Sequence, residues 1–164
     1  YTKRFTALAH YWLGAALAFS PIAAWIALRG GVDPTPVAWP PVVLGMAVML
    51  WVAGFDIIYA TQDIDVDRQL GLHSIPTRLG VAGALRLAAL CHALTIVVLA
   101  CLPSVMPALG VIYYTGLTAI AGLLVYEHRL VRPDDLTRVN QAFFHVNAVV
   151  SLGLFAVTTL DLLL

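Results

Sequence analysis

Long apolar stretches, each about the length that crosses a bilayer, leave this 164-residue chain few folds to choose from. About 20 predominantly apolar residues span the hydrocarbon core as a helix. Inside lipid, only helices and closed barrels satisfy their own backbone polar groups. Five stretches read as spans, at about residues 5–28, 41–61, 81–102, 108–126 and 139 to the C-terminus. Charged residues make up 11% of the chain, against about 25% in soluble domains. The expected fold class is therefore all-α, a polytopic transmembrane helix bundle forming one membrane domain over residues 1–164.

Charge placement orients the bundle. If alternate loops lie on opposite sides, Lys3, Arg4, Arg68, Arg78, Arg86, Arg129, Arg132 and Arg138 fall on one side and Arg29 on the other. A bias of that kind marks the crowded side as cytoplasmic, in a cell (inner) membrane. The formal net charge is zero, so there is no general basic face and no case for nucleic acid as a partner. Cys91 and Cys101 fit neither a zinc spacing nor a disulfide framework and read as small buried thiols.

The strongest chemical signal is Asp56-Ile-Ile-Tyr59-Ala-Thr-Gln-Asp63-Ile-Asp65-Val-Asp67-Arg68, at the cytoplasmic end of the second span. If the helix continues through it, Asp63 and Asp67 share a face, with Tyr59 one turn earlier. Like charges about 6 Å apart repel by roughly 1–3 kcal/mol, and a divalent cation converts that repulsion into binding. Hard oxygen ligands at this density suit Mg²⁺ bridging carboxylates to substrate phosphates. Two other readings stay open: a solvated loop whose acids offset Arg68 and Arg78, and a cation-transport site. Transport would place acids along a path through several spans, whereas these cluster at one edge. Asp56 lies deeper and needs a partner or a proton; a site-facing role competes with a structural hydrogen bond.

Lys3 and Arg4 read either as interfacial anchors or as phosphate contacts, and Arg68 and Arg78 as weaker versions of the same. In the turn Gly71-Leu-His73-Ser74-Ile-Pro76, Ser74 either touches phosphate or caps the next segment. His10 and His145 read as interhelical hydrogen-bonding groups. No histidine pair has metal-site spacing. The 127–138 stretch reads as a second charged loop. Asn140 and Asn147, seven residues apart, are expected on one face, lining a cavity or joining helices.

Three patches resemble the UbiA family of membrane prenyltransferases, in particular its 4-hydroxybenzoate polyprenyltransferase branch. They are Tyr1-Thr-Lys3-Arg4-Phe5-Thr6 with Leu13-Gly14 and Ala18-Phe19, the acidic motif through Gly71, Ser74 and Gly80, and Asn140-Gln-Ala142-Phe143 with Asn147. The second is similar to the family's second aspartate-rich motif. The family has nine helices and two such motifs. The first, of the Asn-Asp-x-x-Asp type, is not found here, so the chain resembles the last five helices. The family's proline–glutamine pair reads Ala9-His10, as in a variant branch associated with menaquinone made through futalosine.

The resemblance implies transfer of a polyprenyl group from polyprenyl diphosphate to an aromatic acid acceptor of the 4-hydroxybenzoate type, in ubiquinone or menaquinone biosynthesis. Its cofactor would be Mg²⁺, on Asp63 and Asp67 with Asp65. Lys3, Arg4, Arg68 and Ser74 would bind diphosphate. Tyr59 would act beside the aspartates, with Asp56, Asn140 and Asn147 lining the acceptor or prenyl pocket. Alone, the chain is expected to be inactive. The alternatives are a partial half of such an enzyme and a non-enzymatic transport subunit. An alcohol phosphotransferase is disfavoured, since its Asp-Gly and Ala-Arg signature does not occur.

Overall fold

The structure, a computed structural model, describes residues 2–29 and 39–164. The glycines and prolines at positions 30–36, breakers between the first two expected spans, lie outside the described residues. A 3₁₀ turn (Thr2–Arg4) leads into α1 (Ala9–Arg29), then α2 (Trp39–Ala60), a second 3₁₀ turn (Thr61–Asp63), α3 (Ile64–Gln69), α4 (Ile75–Ala100) and α5 (Leu102–Val105). Helix α6 (Val111–Leu130) follows, and a π turn (Gln141–Val146) runs directly into α7 (Asn147–Leu163). Among the described residues, four stretches are long and apolar enough to cross a membrane: Ala9–Arg29, Trp39–Gln69, Ile75–Val105 and Gln141–Leu163. At 20 residues α6 is also long enough, though its last turns carry Glu127, His128 and Arg129. The polytopic helical bundle expected from hydropathy is the fold observed.

Two local devices shift the expected boundaries. The third span starts at Ile75 because Ser74 and Thr77 form a reciprocal cap. The Ser74 hydroxyl accepts from the Thr77 N–H (3.3 Å) and the Thr77 hydroxyl accepts from the Ser74 N–H (2.9 Å). Pro76 then occupies the first turn, where its missing N–H costs nothing. Gly80 takes φ 68° and ψ 172° and breaks α4 into two rods. That backbone region is essentially glycine's alone.

Small residues set the closest helix contact. A side-chain carbon on Gly45 would lie 2.8 Å from the Ala18 carbonyl oxygen, and one on Gly14 would strike the Met49 carbonyl oxygen. Gly14 faces Met49 and Gly45 faces Ala18, so α1 and α2 run antiparallel at near backbone contact, as small-residue membrane interfaces do. Helix α2 packs in turn on α4, α4 on α6 and α6 on α7, and the π turn returns to α2. The core runs from Ile57, Ala84 and Ala88 to Leu124 and Val146, and a second cluster surrounds Tyr113 and Leu117. Cys91 is buried as expected, but Cys101 is exposed.

Candidate active site

The acidic motif is not one continuous helix. The 3₁₀ turn at Thr61–Asp63 separates α2 from α3, with Asp63 itself outside helical geometry (φ −93°, ψ 2°). Asp63 and Asp67 nonetheless point at a common place, the Lys3 ammonium. Its Nζ donates to both oxygens of Asp67, at 3.0 and 3.3 Å, and stands 3.9 Å from Asp63. Asp67 is buried and Asp63 half exposed. The Lys3 carbonyl accepts from the His73 N–H at 2.6 Å, so the N-terminal turn is tied to the loop beyond α3. Gly71, at φ 64°, gives that loop its bend.

The other expected site residues divide sharply. Asp65 is exposed, as are Arg4 and Arg68. Among the described residues, no three His, Cys, Asp or Glu side chains come together as a metal cluster. Asp63 and Asp67 converge on Lys3, whereas Asp65 projects to the other side of a helical turn. Ser74 is fully buried and its hydroxyl serves the α4 cap; it shapes the loop from inside. The donor chemistry at Asp63 and Asp67 still fits Mg²⁺. Mg²⁺ is commonly held by one or two carboxylates, with phosphate oxygens and water completing the shell.

Deeper in the α1–α2 groove a second acid–base rung lies below the first. Asp56 Oδ2 stands 2.6 Å from His10 Nδ1. His10 is almost fully buried, whereas a quarter of the Asp56 side chain remains open. The interhelical role expected of His10 is thus met by Asp56. His145 is exposed and makes no such rung.

Tyr59 joins a row of rings. Trp51, Phe55 and Tyr59 repeat every four residues along α2, and Phe143 from the π turn packs against them. Centroid distances are 5.6 Å for Trp51–Phe55, 5.3 Å for Phe55–Phe143 and 4.5 Å for Tyr59–Phe143. The row runs from the acidic end down to an apolar cavity of about 440 Å³, lined by Leu44, Trp51, Leu99, Ile120 and Phe155 among others.

The π turn overturns one expectation. Asn140 and Asn147 do not share a face: Asn140 is exposed and Asn147 buried. An i→i+5 turn advances less per residue than the 3.6-residue helix, so seven residues no longer close two turns. Asn147 instead closes a buried polar cluster. Its Oδ1 accepts from Trp51 Nε1 (2.9 Å), and its Nδ2 donates to the Phe143 carbonyl (2.9 Å) and to Glu127 Oε1 (3.4 Å). Glu127, placed by sequence in a charged loop, is a fully buried residue of α6. Its Oε2 lies 3.4 Å from His92 Nδ1, which is 3.0 Å from His128 Nε2. His92 and His128 are 36 residues apart, so no local spacing announces the pair.

With this geometry in view, the likeness to known proteins is coherent. The model of the UbiA prenyltransferase family matches residues 1–149. The 4-hydroxybenzoate octaprenyltransferase of Nitrosospira multiformis is 36% identical over 166 residues, covering 99% of this chain and 53% of that protein. The enzyme of the same name from Vibrio cholerae is 34% identical over 154 residues, covering 91% of this chain and 50% of that protein. The apo structure of a UbiA homolog from Aeropyrum pernix K1 superposes with a TM-score of 0.75 at 28% identity, covering 94% of this chain and 57% of its own. The chain spans about half the length of the curated relatives it matches. With most of its residues inside the family match and its acidic pair, groove and bundle in place, this chain belongs to the UbiA prenyltransferase family.

Proposed function

We propose that this chain supplies the second acidic motif and the prenyl-side wall of an enzyme that transfers a polyprenyl group from polyprenyl diphosphate to an aromatic acid of the 4-hydroxybenzoate type. The observation that carries the reading is the convergence of Asp63 and Asp67 on one cationic point, at the end of an aromatic row that leads to an apolar cavity. An amphiphilic donor has the same layout, with a charged head and a long apolar tail. The names of the relatives supply the substrate class.

Asp63 and Asp67 would hold Mg²⁺, which when bound supplies charge neutralisation to the leaving diphosphate. Asp65 and Arg68, on the exposed side, would reach its outer oxygens or water. Lys3 would swing from Asp67 to the diphosphate, and Arg4 lies beside it; both oppose the negative charge that grows as the allylic C–O bond breaks. The rings of Tyr59, Phe55 and Phe143 line the path on which positive charge develops on the allyl group. The acceptor ring then forms the new C–C bond and loses its proton. Asp56, held by His10 and next to Phe55 in the chain, would orient the acceptor. The lysine and arginine bias supports a cytoplasmic setting for this end. The isolated chain, with one aspartate-rich motif, would be inactive.

The test is Mg²⁺-dependent prenyl transfer to 4-hydroxybenzoate by the full protein in bilayers, comparing the parent with Asp63→Ala and Asp67→Asn. Loss of one preorganised charge-stabilising group costs about 10²–10³-fold in rate. Near-parental turnover in either variant would remove these carboxylates from the metal role.

A further inference from the structure

Trp51 occupies a place that the catalytic reading leaves unexplained. Its ring ends the aromatic row, edge-on to Phe55, and also lines the 440 Å³ cavity. It lies twelve residues below Asp63, about 18 Å at the helical rise. An indole at such a junction could be a loose filler. This one is held at both its side chain and its backbone. Its Nε1–H donates to Asn147 Oδ1 at 2.9 Å, and its carbonyl stands 3.3 Å from His92 Nε2.

The hold extends outward. A carbonyl only accepts, so His92 carries its hydrogen on Nε2, which leaves Nδ1 of the neutral ring as an acceptor. Glu127 Oε2 and His128 Nε2 both face that Nδ1, at 3.4 and 3.0 Å. Glu127 is fully buried, and among the described residues its Oε2 has no hydrogen-bond partner. The His128 Nε2–H donates to that Nδ1 and fills its single lone pair. Glu127 Oε1 accepts from Asn147 Nδ2 at 3.4 Å, which ties α6 to the residue that holds the indole. Gly54 completes the lock, since any side chain there would collide with the His92 ring. Side chains from α4, α6 and α7 thus form one polar cluster that holds Trp51 of α2.

We infer that Trp51, pinned by Asn147, Glu127 and His92, is the residue that sets donor-tail length: it separates the stretch beside the aromatic row from the cavity beyond. This rests on the prenyl-transfer reading above. A short tail ends alongside the row, and a long tail must pass the indole to reach the cavity. Trp51 is therefore a specificity residue, and Asn147 and Glu127 are positioning residues that act through it.

The experiment compares kcat/KM for geranyl diphosphate and for an octaprenyl-length diphosphate in the full protein. The variants are Trp51→Ala, Trp51→Phe, Asn147→Ala, Glu127→Leu and Glu127→Gln. Trp51→Phe keeps a ring that cannot donate to Asn147 and guards against a Trp51→Ala protein that fails to fold. The long-to-short ratio should move about tenfold, the scale on which apolar pockets discriminate size, in the two Trp51 variants, Asn147→Ala and Glu127→Leu. Glu127→Gln, which keeps an oxygen that can accept from Asn147, should restore the parental ratio. A merely structural role would lower both substrates together, and an unchanged ratio in folded variants that still transfer geranyl overturns the inference. If the parent transfers no prenyl group at all, the functional reading fails instead. The Trp51 assignment is then read by fluorescence: a long-chain polyprenyl alcohol should quench emission in the parent and not in Trp51→Phe, and equal quenching overturns it.

Discussion

Replacing Gly14 by alanine should loosen the α1–α2 pair and, with it, both acid–base rungs of the groove. The new methyl would meet the Met49 carbonyl oxygen, with the Met49 carbonyl carbon at 3.2 Å. Comfortable C···O contacts begin near about 3.3 Å, so the helices must part by several tenths of an ångström. A gap of about 0.5–1 Å forfeits a quarter to a half of the dispersion well at each contact. Alanine also gains up to about 1 kcal/mol over glycine in a helix interior. Overpacking costs about 1–3 kcal/mol, and both opposing atoms are backbone that cannot rotate away, so the clash wins. The expected net loss is ~1–2 kcal/mol, the larger part of that overpacking range less the helix-propensity gain. At about 2–4 °C per kcal/mol for a chain of this size, thermal unfolding in bilayers should shift down by ~2–8 °C. Gly45→Ala should behave alike, and the double variant should lose less than the sum, because one separation relieves both contacts. Gly122, also helical, has open space within 4 Å of the point where an alanine methyl would sit, so Gly122→Ala should be neutral or slightly stabilising. If Gly14→Ala and Gly122→Ala prove equally benign, the close-contact argument fails.

Two further outcomes follow from local geometry. Gly80→Ala should destabilise by about 1–3 kcal/mol through backbone strain alone, since a methyl at Gly80 meets nothing within 4 Å; an unchanged melting temperature would show that the break in α4 relaxes freely. Asp135 accepts from the Thr137 hydroxyl (2.6 Å) and N–H (3.0 Å), and these bonds hold its carboxyl below the ordinary aspartate value, with Arg138 and Arg132 assisting. A depressed carboxylate stabilises its turn above the unfolded value and loses that support as pH falls through the folded one. Protection of the Thr137 amide from hydrogen exchange should therefore hold at neutral pH and disappear in acid below the ordinary aspartate range; Asp135→Asn should remove the pH dependence, and its persistence would refute the assignment.

What sequence made legible was whatever depends on local pattern. The membrane-spanning stretches, the turn at Gly71 and the density of carboxylates at 63–67 follow from composition and spacing. Groups defined by packing were hidden. Glu127 ends an apolar run beside His128 and Arg129, a pattern that reads equally as loop or helix end, and burial alone decides. His92 and His128 become neighbours only when α4 meets α6. Asn140 and Asn147 fit a helical period until the π turn breaks it, and no propensity marks that turn. Ser74 had two uses by sequence, and the helix start at Ile75 takes its hydroxyl inward. Lys3 is 64 residues from Asp67, so its partner is set by the antiparallel α1–α2 pairing.

The Lys3 ammonium gives the acidic pair a resident competitor. Because it is tethered to α1 and its carbonyl is fixed by His73, it stands at high effective concentration beside Asp67 and never diffuses off. If the pair holds a metal as proposed, a cation arriving alone would have to displace the ammonium, and its apparent affinity would fall by the fraction of molecules in which Lys3 has let go. An anion that draws the ammonium away lifts that handicap, and linkage makes the benefit mutual. Cation and anion would then bind more tightly together than either does singly, which keeps the pair of carboxylates quiet until a doubly suitable ligand arrives.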